Sequence, residues 1–375
     1  MRVTLDVTPL IGPRTGVGRY VAALVRELGR ASAAAGDDVA GIAFTIRGRR
    51  QLPAALPAGT RAVGPPAPAR VTNRVWGRVD WPPVGLLTGP TDVFHATNFV
   101  LPPPGRAAGV VTVHDLSFLR SPSTVTPAAR AYRHLVPLSI RRAAMVLTPS
   151  AAVADELRET YALPADRIQV TPLGVDPEWY EATPPDPELR RRLGLPERYF
   201  VFVGNLEPRK NLPLLLDAYR DVLAVRPDAP GLLLVGPPGW GPALDLSGLP
   251  PGRVVFSGYR EDHEVQALVA GASALVYPTG YEGFGLPPLE ALACGVPVVA
   301  SDLPVIREVV GTDPRCATLL PAGDVDALAA ALVARSDASA EGPGPAATRQ
   351  ARARLFTWTA TATITRAAYA RAVSR

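Results

Sequence analysis

Lysine is all but absent from this chain: of 39 basic side chains among 375 residues, Lys210 is the only one that is not arginine. Cysteine is nearly as scarce. Cys294 and Cys316 are too few for a disulfide framework and have no metal-ligand spacing, so a disulfide scaffold and a thiolate metal centre are both excluded. No apolar run approaches the roughly 20 residues that a membrane-spanning helix needs. The N-terminal stretch MRVTLDVTPL alternates apolar residues like a strand and has no cleavage site after it, so it does not read as a signal peptide. These absences lead to the expectation of a cytoplasmic protein. The excess of alanine, arginine and proline over lysine is what codon bias in a GC-rich genome produces. It leaves one question: what needs an ammonium at position 210?

What is present fits a globular chain of two domains, with 47% hydrophobic and 19% charged residues. The net charge of +5 is uneven. Residues 1–180 hold 20 arginines against 13 acidic residues, and residues 181–375 hold 19 basic against 21 acidic ones. A basic first half suits an anionic partner such as a phosphorylated substrate or an acidic membrane surface; an arginine-rich solvated surface is the other reading.

Short apolar runs alternate with helical patterns. Strands are expected at 2–7, 39–45, 92–95, 109–113, 144–148 and 168–171, with helices near 16–31, 125–142 and 150–161. A second series begins at YFVFVGN, 199–205. Strands follow at 231–236, 253–258, 273–278 and 296–301, with helices at 211–225, 261–270 and 287–294. Runs this continuous belong to parallel sheets covered on both faces. The expected fold is α/β, two doubly wound Rossmann-like domains facing a cleft: 1–180, joined by a C-terminal helix 357–375, and 181–356. The stretch from Asp176 to Glu197, rich in proline and charge, reads as a linker with a short helix. In such sheets ligands bind beyond the carboxyl ends of the strands.

The most informative stretch is YEGFGLPPLEALACGVPVVAS, 281–301. Two prolines after Leu286 fix a helix start, and Gly295 ends that helix. The amides of Gly283, Phe284, Gly285 and Leu286 lie just before it, where free N–H groups and a positive helix end suit a phosphate. Glu282 and Glu290 flank the turn. Carboxylates repel phosphate but accept hydrogen bonds from a vicinal diol, so the combination describes a nucleotide sugar, with ribose on one side and hexose on the other. A helix start with an incidental glutamate is the plainer alternative. GPRTGVGRY, 12–20, lacks the third glycine of a dinucleotide fingerprint, Val21 standing in its place. Asp37 and Asp38 precede the second strand instead of ending it, which disfavours a nicotinamide site.

E-G-F-G-L-P-P-L-E resembles the glutamate-pair motif of the retaining glycosyltransferases of family 4, which have the GT-B fold. HATN, VHDLS, TPSAAVADEL, TPLGVD and GNLEPRKNLPLLLDAY resemble that family too, in the same order, over nearly the whole chain. The resemblance implies that Glu282 faces the donor sugar, that Glu290 holds the ribose diol, and that Arg209 and Lys210 bind the diphosphate at the mouth of the second domain. The family places an arginine just after the strand glycine, where this chain has Asn205, so that role passes to Arg209. It further implies that Gly16 lies over the diphosphate and that His114 touches the donor sugar. His95 and Asp115, both at strand ends, are expected on the acceptor side, and Tyr259 and Arg260 beside the nucleobase.

The expected reaction is metal-independent transfer of a hexose, best matched to mannose from GDP-mannose, onto a glycan, lipid-linked or small-molecule acceptor. No cofactor and no nucleic acid partner is expected. A sugar-nucleotide epimerase and a non-catalytic sugar-nucleotide-binding protein are the alternatives. Trp76 and Trp81 in NRVWGRVDWPP either pack inward on an amphipathic helix or meet a membrane surface.

Overall fold

The computed structural model describes residues 1–12, 15–337 and 343–375. Pro13 and Arg14 of the GPRTGVGRY loop therefore lie outside the described residues, as do residues 338–342. The chain divides into two compact units. The first comprises Met1–Arg120, Pro127–Gly174 and Thr357–Arg375; the second comprises Ser121–Thr126 and Val175–Phe356.

In the first unit, β1 (Arg2–Asp6), β2 (Asp38–Ile42), β3 (Arg61–Ala62), β4 (Val93–Ala96), β5 (Ala108–Thr112), β6 (Met145–Thr148) and β7 (Ile168–Val170) make a seven-stranded sheet. Its order is β3-β2-β1-β4-β5-β6-β7, and every pairing is parallel. In the second, β8 (Tyr199–Val203), β9 (Gly231–Val235), β10 (Val254–Gly258), β11 (Ala274–Tyr277), β12 (Val298–Ser301) and β13 (Ala317–Leu320) make a six-stranded parallel sheet ordered β10-β9-β8-β11-β12-β13. Strands β8, β9, β11 and β12 are buried along their whole length, which is why their sequences are apolar without alternation. Each sheet reverses its strand order once, between β1 and β4 in the first and between β8 and β11 in the second. A reversal of this kind opens a crevice outside the carboxyl ends of the two diverging strands.

Several elements escape the sequence reading: β3, β13 and the helices Pro304–Val310, Val325–Asp337 and Pro343–Ala353. The stretch read as a linker is packed. Trp179 is buried in the second unit, and Pro187–Leu193 is a helix capped by Asp186, whose carboxylate accepts from Leu189 N, and closed by left-handed Gly194.

The C-terminal helix Trp358–Val373 is built into the first unit. Its cap, Thr357, accepts from Ala360 N at 3.1 Å. Gly174 permits the approach, since a Cβ there would lie 2.2 Å from Trp358 N. Asp37 ties both chain ends together, accepting from the N-terminal amine and from Arg366 Nε at 2.7 Å each.

The same helix corrects one expected site residue. His95 does not line an acceptor surface. It is fully buried, with Nδ1 2.7 Å from Tyr369 Oη and Nε2 2.8 Å from Thr112 Oγ1, which in turn lies 3.0 Å from Tyr20 Oη. Burial, and then the neighbouring His114, push its pKa down to about 3, so the ring is neutral and takes one bond as donor and one as acceptor. The strand-end position was correct; the terminal helix covers it. Tyr369→Phe should leave His95 Nδ1 unsatisfied and lower stability by about 1–3 kcal/mol, read from the denaturant midpoint. A change below about 0.5 kcal/mol would show that this bond does not hold the helix to the sheet.

Candidate active site

Lys210 and Glu282 come from the loops that follow β8 and β11, the two strands flanking the order reversal of the second sheet. After β8 the chain passes through Gly204 at φ 146°, a conformation that favours glycine, into a short 3-10 turn at Pro208–Lys210. Lys210 N bonds Glu207 O at 3.0 Å, and left-handed Asn211 opens the following helix, Leu212–Val225. After β11 the chain runs through Thr279 and Gly280 to Glu282. Gly280 N donates to Arg209 O at 2.9 Å and joins the two loops.

Their side chains form one charge network. Lys210 Nζ donates to Glu282 Oε1 at 2.5 Å and to Tyr277 Oη at 2.6 Å, and it stands 4.8 Å from the centre of the Tyr277 ring. Glu282 Oε1 also accepts from Tyr277 Oη at 3.0 Å and from Thr279 Oγ1 at 2.9 Å. Arg209 Nη1 reaches Glu282 Oε2 at 3.3 Å while its Nε donates to Glu207 Oε1 at 2.5 Å. Burial disfavours a charged Glu282, but Lys210 and Arg209 outweigh it and hold the carboxyl at about 2. Burial also raises the Tyr277 hydroxyl pKa, helped by Glu282, so that hydroxyl stays protonated.

This geometry corrects the expectation of a lysine at an open mouth: Lys210 is only 6% exposed. It also brings in three residues that the sequence reading missed, Glu207, Tyr277 and Thr279. Tyr277 ends a strand and Thr279 follows it, so the rule that placed His114 could have found both.

The turn after Glu282 opens the helix Leu286–Ala293, with Gly285 at φ 102° as its N-cap and prolines at 287 and 288. A Cβ at Gly285 would meet Ile306 Cδ1 at 2.9 Å. The amides of Phe284, Gly285 and Leu286 make no hydrogen bond among the described residues, although all three residues are buried. Buried amides without partners at a helix start are a ready anion site. Glu290, on the same helix, is buried as well. After β10, Tyr259 is 47% exposed, whereas Arg260 is folded back with Nε 2.9 Å from Ser257 O. The exposed ring is therefore available to stack, and the guanidinium is held.

In the first unit His114 follows β5. Its Nε2 donates to Thr97 O at 2.8 Å, and Tyr20 and Phe99 meet its ring edge-on at 5.2 and 5.6 Å. Burial lowers its pKa, so the ring is neutral. Asp115 acts within its own turn. Its Oδ1 accepts from Ser117 N at 2.9 Å and from Ser117 Oγ at 2.6 Å, which starts the turn Ser117–Arg120. Gly16 is exposed at the start of the helix Gly16–Ala35, with open space where a Cβ would sit. Among the described residues no group of three or more His, Cys, Asp or Glu side chains is placed to hold a metal ion.

Two family profiles match the chain, "Glycosyltransferase Family 4" over residues 14–179 and "Glycosyl transferases group 1" over residues 197–336. The O-antigen chain mannosyltransferase B of Escherichia coli is 35% identical over 246 residues, covering 64% of this chain and 63% of that relative's length. The match thus spans a little under two thirds of that relative. The fold is that of the GT-B glycosyltransferases. Sucrose-phosphate synthase from Thermosynechococcus elongatus superposes with a TM-score of 0.70 at 20% identity, over 99% of this chain and 98% of that one. Anabaena HepE in complex with UDP-glucose gives a TM-score of 0.67 at 20% identity, over 98% of each chain.

Removing one member of a buried ion pair strands the other. Lys210→Met should therefore cost about 3–5 kcal/mol, and Glu282→Gln in the same chain should restore much of it. The carboxyl pKa falls from 4.5 unfolded to about 2 folded, so its stabilisation is complete above pH 4.5 and is lost as pH falls toward 2. Urea titrations across that range check both points. Equal losses in Lys210→Met and in the double variant would mean that the charges are not coupled.

Proposed function

The chain belongs to glycosyltransferase family 4, and on that premise we propose that it is a retaining hexosyltransferase taking its sugar from a nucleotide diphosphate. The observation that carries the reading is the buried Lys210–Glu282 pair beside three unpartnered amides at a helix start. Cationic donors and carboxylates are thus paired within one network next to the amides, which suits an anionic diphosphate between two neutral polyols. Phe284, Gly285 and Leu286 offer fixed N–H dipoles to phosphate oxygens, and Lys210 and Arg209 add charge. At ~4 Å and an effective dielectric near 20, each cation–phosphate pair gives roughly 4 kcal/mol before desolvation. Glu282 accepts from hydroxyls of the transferred sugar and Glu290 from the ribose. Tyr259 stacks on the base. His114, neutral and fixed through Nε2, is a hydrogen-bonding group at the carboxyl end of β5 in the first unit.

The chemistry assigned here is front-face substitution. The bond from the anomeric carbon to the leaving phosphate oxygen breaks, that oxygen takes the acceptor's proton, and the acceptor oxygen bonds to the same face. The protein's own contribution is positioning and stabilisation of the leaving charge. Mannose from GDP-mannose is the preferred donor because a mannosyltransferase stands among the relatives. The HepE complex with UDP-glucose makes a uridine donor the comparison to run. A glycan or lipid-linked acceptor fits the same relative. Thermal-shift titration with GDP-, UDP- and dTDP-sugars tests the donor, since a ligand of the native state raises its stability. The largest shift should come with GDP-mannose.

Division of the donor between the glutamates is tested side by side. Glu290→Gln should weaken nucleotide diphosphate binding by about tenfold or more, since a charge-assisted hydrogen bond is worth about 1.5–3 kcal/mol. Glu282→Gln should lower turnover by a larger factor and reduce free nucleotide diphosphate affinity less than Glu290→Gln does. Normal turnover in Glu282→Gln, or equal loss of nucleotide affinity in both, contradicts the assignment.

A further inference from the structure

The helix Ala69–Trp76 of the first unit turns one face to the core and leaves the other uncovered. Trp76 is buried, with its ring edge-on to Phe44 at 5.2 Å and Nε1 donating to Pro82 O at 3.1 Å. Val71, Val75 and Val79 stand on the other side, 57%, 37% and 50% exposed. They are spaced four residues apart, and Val79 N bonds Val75 O at 3.0 Å, which carries the helical turn past Gly77. Trp81 follows, 65% exposed. Arg74 and Arg78 form the adjacent row, and neither has an acidic partner among the described residues; Arg78 Nη1 reaches only Arg74 O, at 3.2 Å.

The ridge is rigid. Arg142 donates to Trp76 O at 2.7 Å and to Asp80 Oδ1 at 2.7 Å through Nε, so one guanidinium holds the helix end and the loop that carries Trp81. It also neutralises Asp80, the one acidic residue between positions 39 and 91.

We propose that this face docks the first unit onto an anionic lipid surface, with Trp81 and the valine row entering the interface and Arg74 and Arg78 meeting lipid phosphates. Exposed valines and a tryptophan beside unpaired arginines match the division of an interfacial helix into an apolar face and a basic edge. A second copy of this chain fits the face poorly. The exposed apolar area is on the order of a few hundred Å², below the roughly 800 Å² per partner of a stable interface. A two-fold contact would also set Arg74 and Arg78 against their own copies with Asp80 already engaged. Docking of this kind uses the first unit alone and is independent of the donor site.

Vesicles of phosphatidylcholine, with and without phosphatidylglycerol, test it by flotation of the full chain. The protein should float with the anionic vesicles at low salt and remain behind with phosphatidylcholine alone. Each arginine near such a surface contributes about fivefold in partitioning, so Arg74→Gln and Arg78→Gln should each reduce binding by about that factor. Trp81→Ser and Val75→Ser should reduce it further. All four side chains are outside the core, so thermal midpoints and nucleotide-sugar thermal shifts should match the parent chain. No flotation with anionic vesicles overturns the proposal, as does flotation unchanged by these substitutions. Concentration-dependent self-association in the absence of lipid that Trp81→Ser abolishes would overturn it too, by assigning the face to a second copy.

Discussion

A carboxylate and an ammonium 2.5 Å apart and largely buried hold together the two loops that border the crevice of the second unit. Neither charge can be buried alone, because desolvation of an unpaired ion costs several kcal/mol. The pair must therefore be completed by whatever surrounds it, and the surroundings follow: Tyr277 Oη between the two charges, Thr279 on the carboxylate, Arg209 on its second oxygen and Glu207 balancing Arg209. All of these except Tyr277 lie on the loops after β8 and β11, and Tyr277 ends β11. The strand-order reversal creates the crevice, and the charge network fixes the loops that border it. A site held this way is set before any ligand arrives, which is the condition under which fixed dipoles and charges stabilise a transition state.

The first unit closes its own order reversal with hydrogen bonds between uncharged groups. Thr97 Oγ1, beyond β4, donates to Asp6 O at the end of β1, and His114 donates to Thr97 O. His95 beneath them is neutral, and burial raises the Asp6 carboxyl to about 6. None of these bonds uses an arginine. Part of the surplus of arginine in residues 1–180 is bonded to carbonyls, as with Arg142 and Arg167, and part, at Arg74 and Arg78, has no acidic partner among the described residues. Net charge read from sequence described the surface of this unit and carried no information about its interior.

The parts of the fold legible in the sequence were those whose burial is local. Continuous apolar runs disclosed the long central strands, since a strand covered on both faces has no polar positions to interrupt it. Strand β3 has two residues and β13 is only partly buried, so neither produces such a run. The glycine turn and paired prolines before Leu286 were legible because backbone geometry dictates those residue types. The role of His95 was not, because its partner Tyr369 lies 274 residues away, and the expected C-terminal helix carries no local signal of which strand end it covers. Lys210 was legible as unusual and misjudged as exposed, since burial depended on a carboxylate 72 residues further on. The two tryptophans of 73–83 were read as a pair with one fate. Helical phase separates them, Trp76 facing the core and Trp81 lying beyond the last helical turn.

The isolated lysine then has a physical account. Where arginine suffices, this composition supplies arginine, so a surviving lysine marks a place that a guanidinium does not fit. Arginine brings a planar fork with five N–H groups that all need acceptors. At position 210 the buried acceptors bonded to the side chain are Tyr277 Oη and Glu282 Oε1. A fork there would leave several donors unsatisfied at a buried position. An ammonium has three N–H groups. Two are taken by Tyr277 and Glu282, and the third has no partner among the described residues. In the proposed function that third donor belongs to the departing phosphate. The same ammonium then holds Glu282 in its charged form and meets the leaving group, which ties the stability of the loop pair to the chemistry assigned to it.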